Sequence, residues 1–347
     1  MKAVSVRRDH AVVTDLEGRV LCHDVRDADG KVAAGKGDAL DAVAAAALLS
    51  LPWDEIHVLE LEPGDLHEEP AGGRLSAAAA GPGVEVKGYT GGQWTLAAAH
   101  RGLVRVRQDA LGLVNAQEGM SVFTLPDLQP VDAGEAVAKA KITPLAIAEA
   151  VVKQAEERAW AAGGLVTVSA FGPRVLGALS RESLPPKQRA RFESSLTEKV
   201  DWFGSRLLPV RYSGGTAASV AADLEALLDT GAEIVIAAGA GSLDPLDPLF
   251  QGLRALGGVM ERHGTPAHPG SLLWLARLRG RPVLGMPACG MFSQATTFDL
   301  MLPRILTGER IGNDELAALG HGGLLSQHSA HRFPPYRRSA ARGELPE

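Results

Sequence analysis

The sequence predicts an α/β protein, a three-layer α/β/α arrangement with a mostly parallel sheet, preceded by a mixed, β-rich α+β domain. Apolar strands and amphipathic helices alternate from about residue 143 onward. Short β-like runs separated by glycine turns fill the first 140 residues. With 347 residues, 46% of them apolar, the chain can bury a sizeable core. We expect domains over residues 1–140 and 141–312 and a carboxyl-terminal tail over 313–347.

The first part of the chain has two stretches whose composition favours a helix. A helix is predicted from Asp38 to Ser50, with Asp38 as its N-cap, because an aspartate side chain accepts hydrogen bonds from first-turn N–H groups. The acidic stretch that follows Asp65 favours another helix. Pro70 and the glycine pair at 72–73 argue against an unbroken one, since an interior proline costs about 3 kcal/mol.

The second part of the chain has stronger helix signals. Thr143 is placed to cap a helix, Pro144 suits its first position, and a glycine pair at 163–164 ends it. Further helices are predicted within residues 186–203, 216–231, 248–258 and 291–308, and strands within 165–171, 206–212, 233–241 and 281–287.

Composition excludes several classes of protein. The formal charge is −6 and basic residues are scattered except near the carboxyl terminus, which argues against a nucleic-acid partner. Cys22 and Cys289 indicate neither a disulfide framework nor a paired-cysteine metal site. The first residues lack the apolar core of a signal peptide, and no apolar run is long enough to span a membrane. A cytoplasmic protein without a membrane or nucleic-acid partner is therefore expected.

The stretch AAGAGSLDPLDP (237–248) ends the apolar run EIVIAA, and ligands of parallel sheets bind where strands end. Its glycines allow a sharp turn with exposed N–H groups, which suit an anion or a flat ligand. Asp247 before Pro248 is typical of a helix N-cap, and Asp244 before Pro245 of a turn. Alternatively, the two carboxylates hold a cation or accept hydrogen bonds from the ligand. The third glycine of a dinucleotide fingerprint is missing, which argues against a nicotinamide or flavin cofactor.

Two further segments have a similar composition. We call these two segments and the stretch 237–248 the three corners. The two segments are His268-Pro269-Gly270-Ser271 and Gly285-Met286-Pro287-Ala288-Cys289-Gly290, the second before a long predicted helix. The N–H groups at the start of such a helix would bind an anion. Cys289 is either a small turn residue or a nucleophilic thiol activated by the helix N-terminus, with His268 as its base.

These three corners, in this order, resemble the molybdopterin-binding domain family, the fold of proteins that adenylate molybdopterin and insert molybdate into it. The glycine-rich loop with aspartate five residues after serine is similar to Gly239, Ala240, Ser242 and Asp247. The two proline-glycine turns of the family are similar to 269–272 and 286–290. The first half, with EGRVLCHDV and KGDALDAVAAAALL, is similar to the insertion enzymes, and the whole chain to a bacterial subfamily of molybdopterin-binding proteins.

The resemblance implies a homo-oligomeric protein of molybdenum cofactor biosynthesis that binds molybdopterin or the molybdenum cofactor, with molybdoenzymes or cofactor-synthesis proteins as partners. The implied cofactor-binding residues are Gly239, Ala240, Gly241, Ser242, His268, Pro269, Gly270, Ser271, Pro287, Ala288, Cys289 and Gly290. Insertion of molybdate into adenylated pterin would use Mg²⁺, with Asp244 and Asp247 catalytic and metal-binding and Glu182 as a further ligand. The alternatives are a non-catalytic cofactor carrier or sensor, and a Cys289-dependent α/β hydrolase.

The chain departs from the family's pattern in ways that favour binding over insertion. The acidic turn after the family's first strand is replaced here by FGPRVLGALSRESL, where only Glu182 is acidic, and Cys289 and Gly290 replace an asparagine and a proline. The resemblance also implies that Lys36 contacts phosphate or molybdate, whereas the alternative is a solvated turn lysine. The His67-Glu68-Glu69 triplet lacks a second spaced histidine and so does not by itself indicate a metal site.

Overall fold

The computed structural model describes residues 1–181, 183–239, 244–292 and 296–336. Contacts divide the chain into two compact units. The first consists of residues 1–100, 104–127 and 132–168, and the second of 101–103, 128–131 and the described residues from 169 onward. The predicted domain boundaries at residues 140 and 312 stay predictions.

The strands and helices have the following bounds. The strands are β1 (Lys2–Arg7), β2 (Val20–Leu21), β3 (Val25–Arg26), β4 (Val32–Ala34), β5 (Glu55–Glu60), β6 (Asp65–His67), β7 (Val84–Thr90), β8 (Gln93–Ala98), β9 (Gly102–Val106), β10 (Met120–Thr124), β11 (Pro130–Val131), β12 (Ala136–Ile142), β13 (Ala146–Ala148), β14 (Val166–Ala170), β15 (Val175–Ser180), β16 (Arg206–Leu207), β17 (Arg211–Tyr212), β18 (Ile234–Ala238), β19 (Val259–His263), β20 (Trp274–Leu278) and β21 (Arg281–Met286). The helices are α1 (Ala42–Leu49), α2 (Glu68–Ala79), α3 (Gln108–Asn115), α4 (Glu149–Ala161), α5 (Pro186–Trp202), α6 (Ala217–Asp229), α7 (Pro248–Ala255), α8 (Ala288–Phe292), α9 (Thr297–Leu306) and α10 (Asn313–Ala317).

Small antiparallel sheets build the first unit, as the sequence predicts for its β-rich part. Strand β5 pairs with β1 and β2, and a second sheet has the order β10-β12-β8-β7. Two short pairs, β3 with β4 and β6 with β13, also belong to it, and a further sheet has the order β11-β9-β14. The side chains of Leu16, Ile56 and Val58 lie in an apolar cluster beneath the first sheet.

Helix α2 contradicts the expectation that proline and glycine interrupt it, because it runs unbroken from Glu68 to Ala79. Pro70 lies in the first turn, where a backbone N–H has no acceptor within the helix in any case. The glycine pair lies against the indole of Trp94: a Cβ atom on Gly72 would lie 2.9 Å from Trp94 Cδ1, and one on Gly73 3.1 Å from Cζ2. The low helix propensity of these glycines is therefore offset by the packing of a large aromatic ring.

Two predicted helix starts are wrong. Helix α1 begins three residues later than expected, because Asp41 caps it and accepts a hydrogen bond from the Ala44 N–H at 2.8 Å. The Asp38 carboxylate instead accepts from the Gly35 N–H at 2.7 Å in the preceding turn. Helix α4 begins at Glu149 rather than beside Thr143, because residues 146–148 are extended and pair with β6. Both errors arise where a local capping signal is outweighed by pairing or by a neighbouring aspartate.

The second unit contains the predicted mostly parallel sheet, which confirms the fold class. Its strand order is β16-β15-β18-β21-β20-β19, with β17 also paired to β15. Strands β15, β16, β17, β18 and β21 pair in parallel. Strands β20 and β19 are antiparallel additions at one side.

Helices cover both faces of this sheet, and strand β18 shows it most clearly. All five of its residues are buried. Ile234, Ile236 and Ala238 pack in a cluster with residues of α5 and α9, whereas Val235 and Ala237 pack with residues of α6 and α7. Since alternate side chains of a strand point to opposite faces, the unit has three layers.

The predicted helices of the second unit are largely confirmed. Helices α5, α6 and α7 lie within the predicted ranges, and Thr216 caps α6 by accepting from the Ser219 N–H at 3.2 Å. The single helix predicted over 291–308 is instead two helices, α8 and α9, and α9 begins after an N-cap at Thr296. Residues 293–295 between the two helices lie outside the described residues.

A buried charged cluster joins helices α5 and α9 to the segment that contains Tyr336. The Lys199 ammonium of α5 donates to Asp299 Oδ1 of α9 at 2.6 Å, and the two side chains are 2% and 0% exposed. The Tyr336 hydroxyl donates to the same oxygen at 2.9 Å. Asp299 Oδ2 accepts from the backbone N–H and the hydroxyl of Thr296 at 3.1 and 3.0 Å. The carboxylate therefore caps α9 while it anchors two other segments.

We expect Tyr336 to make stability fall at alkaline pH. Burial, and next the charge of Asp299, raises the pKa of Tyr336 well above its ordinary value of 10.0. Its contribution is fully present below the unfolded pKa and is lost as pH rises above it, because the unfolded chain then releases a proton that the folded chain keeps. Between about pH 10 and pH 11 the free energy of unfolding should fall more steeply than in Tyr336→Phe, by up to about 1.4 kcal/mol per pH unit. Equal slopes in denaturant titrations of the two proteins would contradict this.

Among the described residues, none of the helices combines the length and the apolar character that a bilayer-spanning helix needs.

Candidate functional site

The carboxyl ends of three parallel strands meet at one edge of the sheet in the second unit. Ser180 at the end of β15 pairs with Ala238 at the end of β18, and Ala238 pairs with Met286 at the end of β21. The start of β20 lies at the same edge, because Trp274 pairs with Gly285. The ends of β15, β18 and β21 and the start of β20 are therefore neighbours. The described strand ends next to the three corners are brought together here.

The first corner begins at Gly239, directly after β18. Its φ is +67°, and its N–H points to the Met286 carbonyl at 3.4 Å. Asp247 is buried and caps α7, since Oδ1 accepts from the Leu249 N–H at 2.8 Å. Asp244 is exposed, and its Oδ1 accepts from the Leu246 N–H at 2.8 Å in a turn. The local roles predicted for both aspartates are confirmed. Ala240, Gly241, Ser242 and Glu182 lie outside the described residues.

Arg181 is a candidate that the motif comparison missed. It directly follows β15 and so lies at the same edge. Its Nη2 donates to Asp247 Oδ2 at 2.8 Å, whereas its buried Nε has no hydrogen-bond partner within the described residues. Burying a guanidinium N–H without an acceptor costs free energy. An anion that accepts a hydrogen bond from this N–H would therefore be bound favourably. The sequence signal that points to Arg181 is a basic residue at the end of an apolar strand in the predicted parallel sheet.

The second corner is fixed against the start of α9. The Pro269 carbonyl accepts from the N–H and the hydroxyl of Thr297 at 3.1 and 3.2 Å. Gly270 has a φ of +112°, and a Cβ there would lie 2.7 Å from the Thr297 nitrogen. The peptide bond between His268 and Pro269 is cis. The Ser271 carbonyl accepts from the Thr265 N–H at 2.9 Å, which closes the loop.

The glycine-rich segment GHGGLL (320–325) folds back onto this loop. The His268 N–H donates to the Gly323 carbonyl at 2.8 Å, and the Leu325 N–H donates to the His268 carbonyl at 2.8 Å. The loop is therefore held from one side by α9 and from the other by a later segment of the chain. This leaves the exposed His268 ring at the surface of the edge.

The third corner leads from β21 into α8. Pro287 and Gly290 are buried, and the Gly290 N–H donates to the Pro287 carbonyl at 2.8 Å. Ala288 and Cys289 are exposed in the first turn of this five-residue helix. Within the described part of the chain, the Cys289 thiol and the His268 ring have no hydrogen bond to each other. Of the two residues that a hydrolase would need, Cys289 lies in α8 and His268 in the loop that precedes β20.

The acidic residues do not form a preformed metal cage in the described ranges, where no three His, Cys, Asp or Glu side chains could together hold an ion. Both oxygens of Asp247 are already acceptors, one from Leu249 and one from Arg181. Asp244 Oδ2 has no hydrogen-bond partner within the described residues. Asp244 is thus the aspartate with free acceptor capacity at this edge.

The opposite edge of the sheet has a cavity of about 680 Å³. Residues before β15, β18 and β21 line it, including several arginines. These are paired locally: Arg174 contacts Glu233 at 2.9 Å, and Arg277 contacts Glu261 at 2.9 Å. The cavity lies away from the corners, and its charges largely compensate each other.

No protein-family model matches the sequence, and no curated protein matches it. Among solved structures, the molybdopterin biosynthesis MoeA protein from Pyrococcus horikosii is similar, with a TM-score of 0.31, 13% identity, and coverage of 88% of this chain and 75% of that chain. A MogA structure has a TM-score of 0.25 and 13% identity, covering 39% of this chain and 92% of that chain. A structure of a NadC deletion mutant has a TM-score of 0.17 and 10% identity, and the match covers 47% of this chain and 71% of that chain. TM-scores of this size do not establish a shared fold.

Proposed function

We propose that the second unit binds molybdopterin, or the finished molybdenum cofactor, at the carboxyl edge of its sheet and acts in molybdenum cofactor biosynthesis. The observation that carries the proposal is the convergence of the three corners whose sequences resemble the molybdopterin-binding domain family. They are distant in sequence, yet they follow neighbouring strand ends. The binding residues are those of 239–242, 268–271 and 287–290.

The chemistry of the edge fits a phosphorylated, flat and polar ligand. Molybdopterin carries a terminal phosphate, and Arg181 offers a buried Nε–H without an acceptor among the described residues. Guanidinium groups bind phosphate through planar pairs of N–H donors. The exposed turn at Ala288 and Cys289 and the positive φ of Gly239 let a ligand approach the main chain closely. A pterin ring would lie over these turns with its phosphate toward Arg181.

The acidic residues support two versions of the proposal. In the insertion enzyme, Mg²⁺ would neutralise the phosphates of an adenylated pterin, and Asp244, with Glu182, would supply carboxylate ligands. The phosphoanhydride bond would then be hydrolysed and AMP released. In a carrier or sensor the same edge would hold the pterin without turnover. The engagement of both Asp247 oxygens by Leu249 and Arg181 favours a positioning role for that residue.

A titration separates these versions. Purified protein is titrated with molybdopterin and with its adenylated form, with and without Mg²⁺ and molybdate, while fluorescence and AMP are followed. Saturable binding with Mg²⁺-dependent AMP release supports insertion, and Asp244→Asn should then abolish the release. Stoichiometric binding without AMP supports a carrier. Absence of binding to every form would refute the proposed function.

Arg181→Gln should weaken binding of the phosphorylated pterin by about tenfold to a hundredfold, the value of a hydrogen bond to a charged group. Arg181→Lys keeps the positive charge but not the planar pair of donors. Its affinity for the phosphorylated pterin should therefore lie between that of the unchanged protein and that of Arg181→Gln. Arg206→Gln is a matched control, because Arg206 is exposed at the start of β16. Unchanged affinity in Arg181→Gln, with an unchanged midpoint of thermal unfolding, would remove Arg181 from the site.

A hydrolase that uses Cys289 is the alternative function, and it predicts a different result of thiol alkylation. It predicts that alkylation of the exposed Cys289 abolishes an esterase or amidase activity and that His268→Ala does the same. Under the pterin proposal, alkylation only obstructs the turn and weakens binding.

A further inference from the structure

Two sequence motifs that the proposed function does not use lie together in the first unit. The lysine-glycine turn at 36–38 and the His67-Glu68-Glu69 triplet line one cavity of about 400 Å³. The tip of the β7–β8 hairpin, at Gly91 and Gly92, and the residues Lys141 and Thr143 at the end of β12 complete its wall. All of these residues belong to the first unit.

Several polar side chains in this cavity are half-buried and have no partner among the residues that the structure describes. The Glu68 carboxylate, the Lys141 ammonium and the Tyr89 hydroxyl have no hydrogen bond or ion pair within the described residues. Burial, and the charges of Glu68 and Glu69, raise the pKa of Tyr89. Partly desolvated charges that lack partners cost stability, and such groups cluster at binding sites.

Hydrogen bonds of His67 connect the two motifs that line the cavity. His67 Nε2 donates to the Gly37 carbonyl at 2.8 Å, and its Nδ1 accepts from the Glu69 N–H at 3.3 Å, so the ring links the two motifs. Gly37 has a φ of +89°, and a Cβ there would lie 2.9 Å from Glu68 Oε1. A side chain at residue 37 would therefore displace the carboxylate. The positive φ favours glycine at residue 37, and the Glu68 carboxylate lies against the turn there.

The helix dipole explains only part of this arrangement. Glu68 and Glu69 are in the first turn of α2, where negative charge is favourable. It does not explain why Lys36 and Lys141, from two other elements, and the ring of Tyr89 line the same cavity. Cations, carboxylates and an aromatic ring together match a ligand that has an anionic group, a donor edge and a flat ring.

We propose that this cavity binds a phosphorylated heterocycle with a 2-amino-4-oxo edge, the edge that guanine and pterin rings share. The adjacent ring N–H and amino groups of that edge donate a pair of hydrogen bonds to the Glu68 carboxylate. Lys141 and Lys36 bind the phosphate, and the ring lies against Tyr89. The site does not rest on the proposed function of the second unit.

The test uses the full chain and calorimetric titration with GMP, neopterin monophosphate, AMP and inorganic phosphate. AMP keeps the phosphate but lacks the donor edge. We expect saturable binding of GMP or of the pterin phosphate, at least tenfold tighter than AMP. Glu68→Gln and Lys141→Met should each weaken it at least tenfold, and Glu157→Gln, an exposed position on α4, should leave it unchanged.

The outcomes are distinct. Preference for GMP identifies a nucleotide site, and preference for the pterin phosphate identifies a second pterin site. Equal binding of AMP and GMP, or undiminished binding in both Glu68→Gln and Lys141→Met, overturns the proposal. Because Arg181→Gln changes only the second unit, a pterin affinity that depends on Arg181 and not on Glu68 also overturns it while leaving the proposed function intact.

Discussion

Lys199→Met is expected to lower the free energy of unfolding by about 3–5 kcal/mol, the usual cost of leaving one member of a buried ion pair uncompensated. The Asp299 carboxylate is 0% exposed and receives the ammonium at 2.6 Å. Tyr336 and Thr296 still donate to it in the variant, but they bring no positive charge. Denaturant unfolding followed by circular dichroism measures the change.

A surface pair gives the matched comparison. Lys153 lies one turn after Glu149 on α4, with a 3.4 Å contact between their side chains, of which the lysine is well exposed. Lys153→Met should cost less than about 1 kcal/mol, because exposed pairs contribute little. If Lys199→Met costs no more than Lys153→Met, the buried carboxylate is not charged or is satisfied by other groups. The double variant Lys199→Met, Asp299→Asn should recover part of the loss.

Gly285→Ala is expected to destabilise the second unit by about 1–3 kcal/mol or more, through overpacking. The added Cβ would lie 2.1 Å from the ring atoms Cε2 and Nε1 of Trp274, its cross-strand partner in β20. Trp274 is 1% exposed and packs on Phe250 at 5.3 Å between ring centres, so the indole cannot move aside freely. The midpoint of thermal unfolding measures the loss.

Gly112→Ala tests the same substitution where space is available. Gly112 is an exposed residue of α3, and no atom lies within 4 Å of the place that an added methyl group would take, so alanine should raise stability by about 1 kcal/mol. Trp274→Leu should relieve part of the cost of Gly285→Ala in the double variant. Additive effects of the two changes would show that the clash with the indole is not the cause.

Periodicity in the second unit is enough to predict its layers. The run EIVIAA has the pattern of a fully buried strand, and β18 is one; the apolar stripe of Val220, Leu224 and Leu227 predicts α6. The corners are predictable because strand ends in a parallel sheet share an edge. Asp247 as an N-cap before Pro248 follows from purely local chemistry.

Long-range contacts account for most of the errors. Nothing near Gly72 in sequence shows that Trp94 fills the space above it, so the sequence favours a break in α2 that the structure does not have. Pairing of residues 146–148 with β6 displaces the start of α4. The significance of Arg181 depends on Asp247, which is far away in sequence. The cavity around Lys36 and Glu68 could not be predicted from the sequence either, because single motifs do not show that three elements meet.

The bridge between His268 and Leu324 has a consequence for how the edge is assembled during synthesis. The ribosome delivers the 268–271 loop more than 50 residues before the segment that satisfies its N–H and carbonyl groups. Until Gly323 and Leu325 emerge, the backbone of His268 must bond to water, and its amide should exchange rapidly with solvent deuterium. The His268 amide thus becomes protected against exchange only after residues 323–325 have been added.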